Sequence, residues 1–172
     1  NQPVGNWNIG NVTNVSNMFN GARSFDQPLS SWNIANVANI GHLFQSAVAF
    51  NQNDGNWNLN NVTNMAYMFY DAESFNQDIS SWNTSNVVNM VSMFQKASSF
   101  NQDIGGWNLK SIASAKNNDG SLVNMLSGSG MDCDIYSRTL KGWAAAVTTP
   151  AGLSLGASGL SYDSAYAQAS HD

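Results

Sequence analysis

The sequence predicts an α/β solenoid in which each repeat supplies one short parallel strand and one short helix. Three observations predict it: a fixed 25-residue spacing of tryptophan, helical spacing of apolar residues in half of each repeat, and apolar–polar alternation in the other half. We assign residues 1–112 to a solenoid of about 4.5 coils and residues 113–172 to an α/β C-terminal capping module.

The repeat is visible in three aromatic columns that keep the 25-residue register without an insertion. One repeat cannot bury such residues alone, so stacked repeats are expected to form a continuous core from them. The predicted core ladders are Trp7, Trp32, Trp57, Trp82 and Trp107; Phe19, Phe44, Phe69 and Phe94; and Phe25, Phe50, Phe75 and Phe100.

The second half of each repeat has the apolar spacing of a helix. In the fourth repeat the apolar positions fall at 0, +3, +4, +7 and +10, occupied by Met90, Met93, Phe94, Ala97 and Phe100. Asn89 stands where an N-cap is expected. The pattern predicts a short helix, either α or 3₁₀.

The first half of each repeat alternates like a strand with one buried face. Trp82 and Thr84 are separated by a polar residue, and the other repeats carry Ile9, Ile34, Leu59 and Leu109 at the second position. Strands stack about 4.8 Å apart and helices about 8–10 Å apart, so the predicted sheet is concave.

Asparagine makes up 26 of the 172 residues and follows the same period. The columns that begin at Asn11 and Asn14 are expected to bond turn backbone and the equivalent residue one coil along. The column after tryptophan should face outward. It predicts a flat, nearly uncharged surface that either binds a ligand or is only solvated, made of Asn8, Asn33, Asn58, Asn83, Asn108, Ser31, Asn56, Ser81, Asn60 and Ser85.

The repeat breaks after Trp107, and a terminal cap is expected there. Residues 121–126 are read as one more helical turn, and residues 135–147 carry a helical apolar stripe ended by Pro150 and Gly152. A last short strand is predicted over 153–155 and a final helix over 163–169.

Composition excludes several classes of function. A net charge of −5 with a pI near 4.6 argues against nucleic-acid binding. Cys133 is the single cysteine, so no disulfide framework is predicted, and no apolar run is long enough to span a membrane.

Candidate catalytic residues form no constellation, so no enzyme, metal or cofactor is predicted. His42 is interpreted as an exposed filler, and Asp71 and Glu73 are two apart on the predicted helix and do not face each other. Calcium binding near Asp119, Asp132 and Asp134 is a minor alternative without EF-hand spacing. Tyr67 and Tyr70 on the predicted outer helix are either interface residues or packed against the next helix.

The repeat resembles one known family. Phe75-Asn76-Gln77-Asp78-Ile79-Ser80-Ser81-Trp82-Asn83-Thr84-Ser85-Asn86-Val87, continued by Asn89-Met90 and Met93-Phe94, resembles the BspA-type leucine-rich-repeat surface proteins, the 25-residue repeat of bacterial surface lipoproteins and adhesins. The segments 136–144 and 155–162 resemble the C-terminal module that commonly follows such repeats. The resemblance implies a leucine-rich-repeat-like fold, an extracellular or cell-surface location in bacteria, and no catalytic residues.

Two hypotheses of function follow. The first is adhesion, or binding of a protein or glycan, by a secreted or surface repeat protein. The second is a structural element, such as a filament, spacer or surface layer, in which copies associate end to end. The sequence opens inside a repeat at Asn1-Gln2-Pro3, which leads us to expect a fragment, a processed chain, or a subunit whose open end is covered by a neighbour.

Overall fold

The computed structural model describes residues 1–53, 56–114 and 122–146. We number the coils by the repeat: coil 1 is 1–25, coil 2 is 26–50, coil 3 is 51–75, coil 4 is 76–100, and coil 5 begins at 101. The described helices are α1, Lys110–Ser114, and α2, Cys133–Ala145. No helix in these ranges is both long and apolar enough to cross a bilayer. The strand predicted over 153–155 and the helix over 163–169 lie outside them.

Neither helix lies in coils 1–4, so the predicted solenoid of one strand and one helix per repeat is wrong. In coil 1 the N–H groups of Met18, Asn20 and Ala22 donate to carbonyl oxygens three residues earlier, at 3.1–3.3 Å. Asn17 and Gly21 have φ of 62° and 72°, the left-handed conformation of the third residue in a type II turn. The segment is therefore a chain of β-turns.

The other N–H groups of these turns bind the next coil. Between residues 15 and 21, every second residue donates to coil 2 at 2.7–3.2 Å, from Val15, Asn17, Phe19 and Gly21 to Asn39, Gly41, Leu43 and Gln45. Donors directed along the solenoid cannot also make the i→i−4 bonds of a helix. Coil 4 donates in the same way to Val123, Met125 and Ser127. The segment predicted as a helical turn at 121–126 is therefore, from residue 122 onward, another chain of turns that bonds to the coil before it.

The predicted strands are also absent from the described residues, where the ladder contains only isolated parallel bridges among Asn14, Asn39, Asn64 and Asn89. Near the tryptophan of coil 2, Trp32 N–H donates to Leu29 and Val37 N–H donates to Ile34. Two successive turns place Trp32 and Ile34 in the core. The apolar–polar alternation thus reflects which residues of a turn point into the core and which point to solvent. The polar residues project from turns rather than from the predicted concave sheet.

The aromatic columns form the core. Trp32, Trp57, Trp82 and Trp107 are buried, whereas Trp7 keeps 53% of its surface exposed. Tryptophan rings of neighbouring coils stack at 6.3–6.5 Å in three pairs, Trp7–Trp32, Trp57–Trp82 and Trp82–Trp107. The phenylalanine columns stack at 5.6–6.1 Å between coils and at 3.8–3.9 Å within a coil. All eight of these phenylalanines are buried: Phe19, Phe25, Phe44, Phe50, Phe69, Phe75, Phe94 and Phe100.

Helix α2 closes the tryptophan column. The indole N–H groups of Trp32, Trp57 and Trp107 each donate to a backbone carbonyl of the preceding coil. Trp143 of α2 makes the same bond to Ile104 at 2.9 Å, although it is not in the 25-residue register. It therefore occupies the place of the next tryptophan. The helical stripe predicted over 135–147 corresponds to α2, which begins two residues earlier.

Candidate binding surface

The ten residues predicted to form a binding face project from the turns beside the buried tryptophans. Ser85 is half-buried, and the others are exposed. None carries a charge. The exposed members are Asn8, Asn33, Asn58, Asn83, Asn108, Ser31, Asn56, Ser81 and Asn60. The structure thus brings together an uncharged polar row that crosses the coils.

The asparagine that follows each tryptophan has a local structural role as well. Its Oδ1 accepts the backbone N–H two residues later at 3.0–3.2 Å, in all five coils. This is an Asx-turn, in which a short polar side chain replaces a backbone acceptor. Oδ1 is therefore held by the protein and the Nδ2 donor is held in a fixed direction.

The Nδ2 groups differ along the row. That of Asn83 donates to Asn60 Oδ1 at 2.7 Å. Within the described part of the chain, no acceptor is found for Nδ2 of Asn33 or Asn58. These two amides consequently keep their donors for solvent or a ligand. The neighbouring Ser31 hydroxyl instead donates to Gly5 O of the preceding coil at 2.7 Å.

The columns that begin at Asn11 and Asn14 are structural, as predicted. Nδ2 of Asn36, Asn61 and Asn86 donates to a carbonyl of the preceding coil at 2.6–2.7 Å. In the other column, Oδ1 caps the backbone N–H two residues later, at Asn14, Asn39, Asn64 and Asn89. Asn64 Nδ2 also donates to Asn39 Oδ1 at 3.1 Å, which joins two coils directly.

A further ladder, which the sequence analysis missed, runs along the corner where each coil begins. Its oxygens accept the backbone N–H of the next member at 2.8–3.1 Å, in the series Asn1, Asp26, Asn51, Asn76, Asn101 and Asp132. Asp132 ends the ladder and is the N-cap of α2, since its Oδ1 accepts from Ile135 N at 2.8 Å. That bond lowers the pKa of the Asp132 carboxyl, and a bond from the Asn101 side-chain amide lowers it further by a smaller amount. The 25-residue spacing of the first five members was the available signal.

The candidates for catalysis are not brought together. His42 is half-buried, not an exposed filler; its Nδ1 lies 2.6 Å from Gln45 Oε1 and its ring stacks on Tyr67 at 4.8 Å. Cys133 is half-buried at the first residue of α2. No group of three metal-ligating side chains occurs within the described ranges, and residue 119, named for the calcium alternative, lies outside them.

The comparison with protein families gives a match over the coils. The family described as "Mycoplasma protein of unknown function, DUF285" matches residues 1–73 and 50–119. The chain belongs to this family. In this DUF285 chain the matched segments include the aromatic columns and the polar row, and neither reaches α2. No curated protein and no solved structure matches the chain.

The DUF285 chain also has a cleft of about 650 Å³ between α2 and the loops of coils 4 and 5. Asp78, Asp103 and Arg138 line it together with small residues. The Ser80 hydroxyl and N–H donate to Asp78 and lower the pKa of its carboxyl. Arg138 is held in an exposed ion pair with Asp134 at 3.2 Å. The cleft is open, and its charged groups are largely bonded to the protein.

Proposed function

We propose that this protein is a non-catalytic binding protein of the bacterial cell surface or extracellular space, acting in adhesion through a protein or glycan ligand. The observation that carries the proposal is the uncharged row beside the tryptophans, with its Asx-turn amides fixed by the backbone. The resemblance to BspA-type leucine-rich-repeat surface proteins supports the same setting and class of function.

The row suits a ligand that offers hydrogen-bond acceptors. Asn33 and Asn58 lie one coil apart, and each keeps an Nδ2 donor for a ligand while its Oδ1 accepts the N–H two positions later. Donors held in advance lose little conformational freedom on binding. Sugar hydroxyls and exposed peptide carbonyls are acceptors of the required kind.

The Asn33→Asp/Asn58→Asp double variant separates the two roles of these side chains. Aspartate keeps the oxygen that accepts the backbone N–H, so stability should change by less than about 1 kcal/mol. It lacks Nδ2, so we expect at least about a tenfold loss of affinity. The measurement is retention of the full chain on immobilised mannan, dextran and gelatin, with thermal unfolding in parallel.

A charge-matched control is Ser74→Asp/Ser99→Asp, which also places two aspartates one coil apart. Both serines are exposed and lie outside the row. The control should be retained like the unmodified chain. Retention of the asparagine double variant at the unmodified level, or no retention of the unmodified chain on any of the three materials, would contradict a binding role for the row.

A second candidate function is the structural one, in which copies associate end to end. The outer face of coil 1 favours it, because Trp7 and Met18 are 53% and 40% exposed there and a recess of about 260 Å³ opens beside Phe19 and Phe25. Within the described residues, the outward carbonyls have no N–H partner at Asn14, Ser16, Met18 and Asn20. Such an edge accepts bonds from another chain.

Trp7→Ser/Met18→Ser tests this candidate. If copies stack through coil 1, light scattering of the unmodified chain should show species that grow with concentration, and the double variant should lose them. Because both side chains are exposed, the variant should keep the far-ultraviolet spectrum of the unmodified chain. Growth that persists in the variant would count against the coil 1 face.

A further inference from the structure

A second surface lies on the β-turn segments and contains the tyrosines of coil 3. We name it the tyrosine patch and define it as His42, Tyr67, Tyr70, Asp71 and Lys96. Four of these five residues have positive φ, between 57° and 64°: His42, Tyr67, Asp71 and Lys96. Coil 1 has Asn17 and Gly21 at the equivalent positions, which are the residue types that adopt this conformation most easily.

The identity of Tyr67 and Lys96 is therefore not explained by the local backbone. A left-handed conformation disfavours a tyrosine or lysine by about 1 kcal/mol or more relative to glycine. The side chains interact with one another across the coils. His42 and Tyr67 stack at 4.8 Å with their planes 9° apart, and Tyr67 and Tyr70 lie 5.9 Å apart. Lys96 Nζ lies 5.5 Å from the centre of the Tyr70 ring.

These contacts leave a surface suited to a polypeptide. One face of the Tyr67 ring is covered by His42, and one face of the Tyr70 ring is covered by Lys96, so a sugar ring cannot stack on these two faces. Neither phenol hydroxyl has a hydrogen-bond partner within the described ranges. Tyrosine with an apolar ring and a free hydroxyl is typical of protein interfaces.

The charges of the patch identify the partner. Asp71 and Lys96 occupy the same position in coils 3 and 4, yet the one ion pair among the described residues joins Arg138 to Asp134. Asp71 Oδ2 accepts from the Ser46 hydroxyl at 3.1 Å. A carboxylate and an ammonium that lie side by side without pairing complement a second copy of the same surface rotated by 180°.

We propose that the tyrosine patch joins two copies of this chain about a two-fold axis. Asp71 of each copy faces Lys96 of the partner subunit, and the tyrosines pack near the axis with their hydroxyls bonded across it. The interaction is distinct from ligand binding by the polar row and from end-to-end contact at coil 1. It closes at two copies, because an isologous interface uses the same surface on both.

Charge reversal tests the pairing directly. Asp71→Lys places like charges opposite Lys96 of the partner subunit, and Lys96→Asp does the same with negative charges. Each should raise the dimer dissociation constant at least about tenfold, measured by analytical ultracentrifugation of the full chain. The Asp71→Lys/Lys96→Asp double variant restores opposite charges and should return the constant to within about threefold of the original.

Tyr67→Asn/Tyr70→Gln provides an independent test with residues that the fold already uses. Asn17 occupies the first position in coil 1, and Gln45 and Gln95 occupy the second in coils 2 and 4. The variant should therefore keep the fold of the original, because asparagine accommodates positive φ better than tyrosine and offsets the loss of the ring contacts with His42 and Lys96. It should sediment as a monomer.

Four results would overturn the proposal. The first is an unmodified chain that stays monomeric at its highest soluble concentration. The second is a dimer whose dissociation constant is unchanged by both single charge reversals and by the tyrosine variant. The third is an open series of larger species abolished by Trp7→Ser/Met18→Ser, which would assign association to coil 1 instead. The fourth is a tyrosine variant that loses binding to a glycan rather than dimerisation, which would make the patch a ligand site.

Discussion

Trp57→Ala is expected to destabilise the protein by about 3–5 kcal/mol, the largest effect of any single substitution considered. Trp57 is 6% exposed, stacks on Trp82 at 6.5 Å and lies 6.3 Å from the Phe44 ring. Its indole N–H donates to Leu29 O of the preceding coil at 3.1 Å. Alanine removes the ring contacts with both neighbouring coils and the indole bond to Leu29 O, which keeps the backbone N–H of Trp32 as a donor.

The same substitution in coil 1 should have a much smaller effect. Trp7 contacts Trp32 at 6.4 Å on one side, and more than half of its surface is exposed. Trp7→Ala should therefore cost about 1 kcal/mol. Urea unfolding followed by circular dichroism gives the comparison, with fragment formation monitored because repeat arrays can unfold in stages.

Trp57→Phe separates stacking from hydrogen bonding. Phenylalanine keeps an aromatic ring in the column but has no N–H for Leu29, so about 1–3 kcal/mol should be lost. Equal losses for Trp7→Ala and Trp57→Ala would mean that the column does not act through contacts on both sides, and the account of the core given above would be incorrect.

The sequence was sufficient to predict the columns because their cause is periodic. Stacking requires the same residue type at the same place in every coil, and the spacing of Trp32, Trp57 and Trp82 records this directly. The coil conformation was not predictable in the same way. The apolar spacing from Met90 to Phe100 fits a helix. A chain of β-turns, however, also directs side chains into the core at similar intervals, and it buries the same residues.

The deciding information is the backbone conformation of a few residues. Ser92 and Lys96 have positive φ, which excludes a helix there, but neither residue type signals this in a sequence. In coil 1, Asn17 and Gly21 occupy the equivalent positions, and these residue types were the ones that indicated a positive φ there. Similarly, the alternation around Trp82 reads as a strand, although Asn83 caps the N–H of Ser85 and holds a turn.

The polar row was identified for a reason that proved incomplete. Its residues do face outward, but they do so because they lie in turns and not because they alternate along a strand. The side-chain oxygens of Asn33 and Asn58 accept backbone N–H groups of the protein. The closure by Trp143 was not predictable from the period, because a helix supplies the indole from outside the repeat register. The tyrosine patch depends on contacts between coils, and its strain is visible only in the structure.

Gly142→Ala is expected to destabilise the docked α2 by about 1–3 kcal/mol, although alanine is the better helix former by about 1 kcal/mol. A Cβ at Gly142 would lie 2.5 Å from Gly105 O and 2.7 Å from Gly105 C and Cα. These are backbone atoms that cannot rotate away. Gly105 is constrained in return, because its own Cβ would lie 3.0 Å from Arg138 O. The helix would have to move off coil 5, which would weaken the Trp143–Ile104 bond that closes the tryptophan column.

Ala144→Gly on the exposed side of α2 is the matched control for Gly142→Ala. It should lower the free energy of unfolding by about 0.5–1 kcal/mol through helix propensity alone. Urea unfolding of both variants decides whether helix propensity or packing against Gly105 dominates. The rate of hydrogen exchange of the Trp143 indole proton reports docking, because this proton exchanges slowly only while α2 stays on coil 5. If Gly142→Ala instead raises stability by the amount that Ala144→Gly lowers it, α2 tolerates a side chain there, and the close backbone contact at Gly105 does not hold the cap.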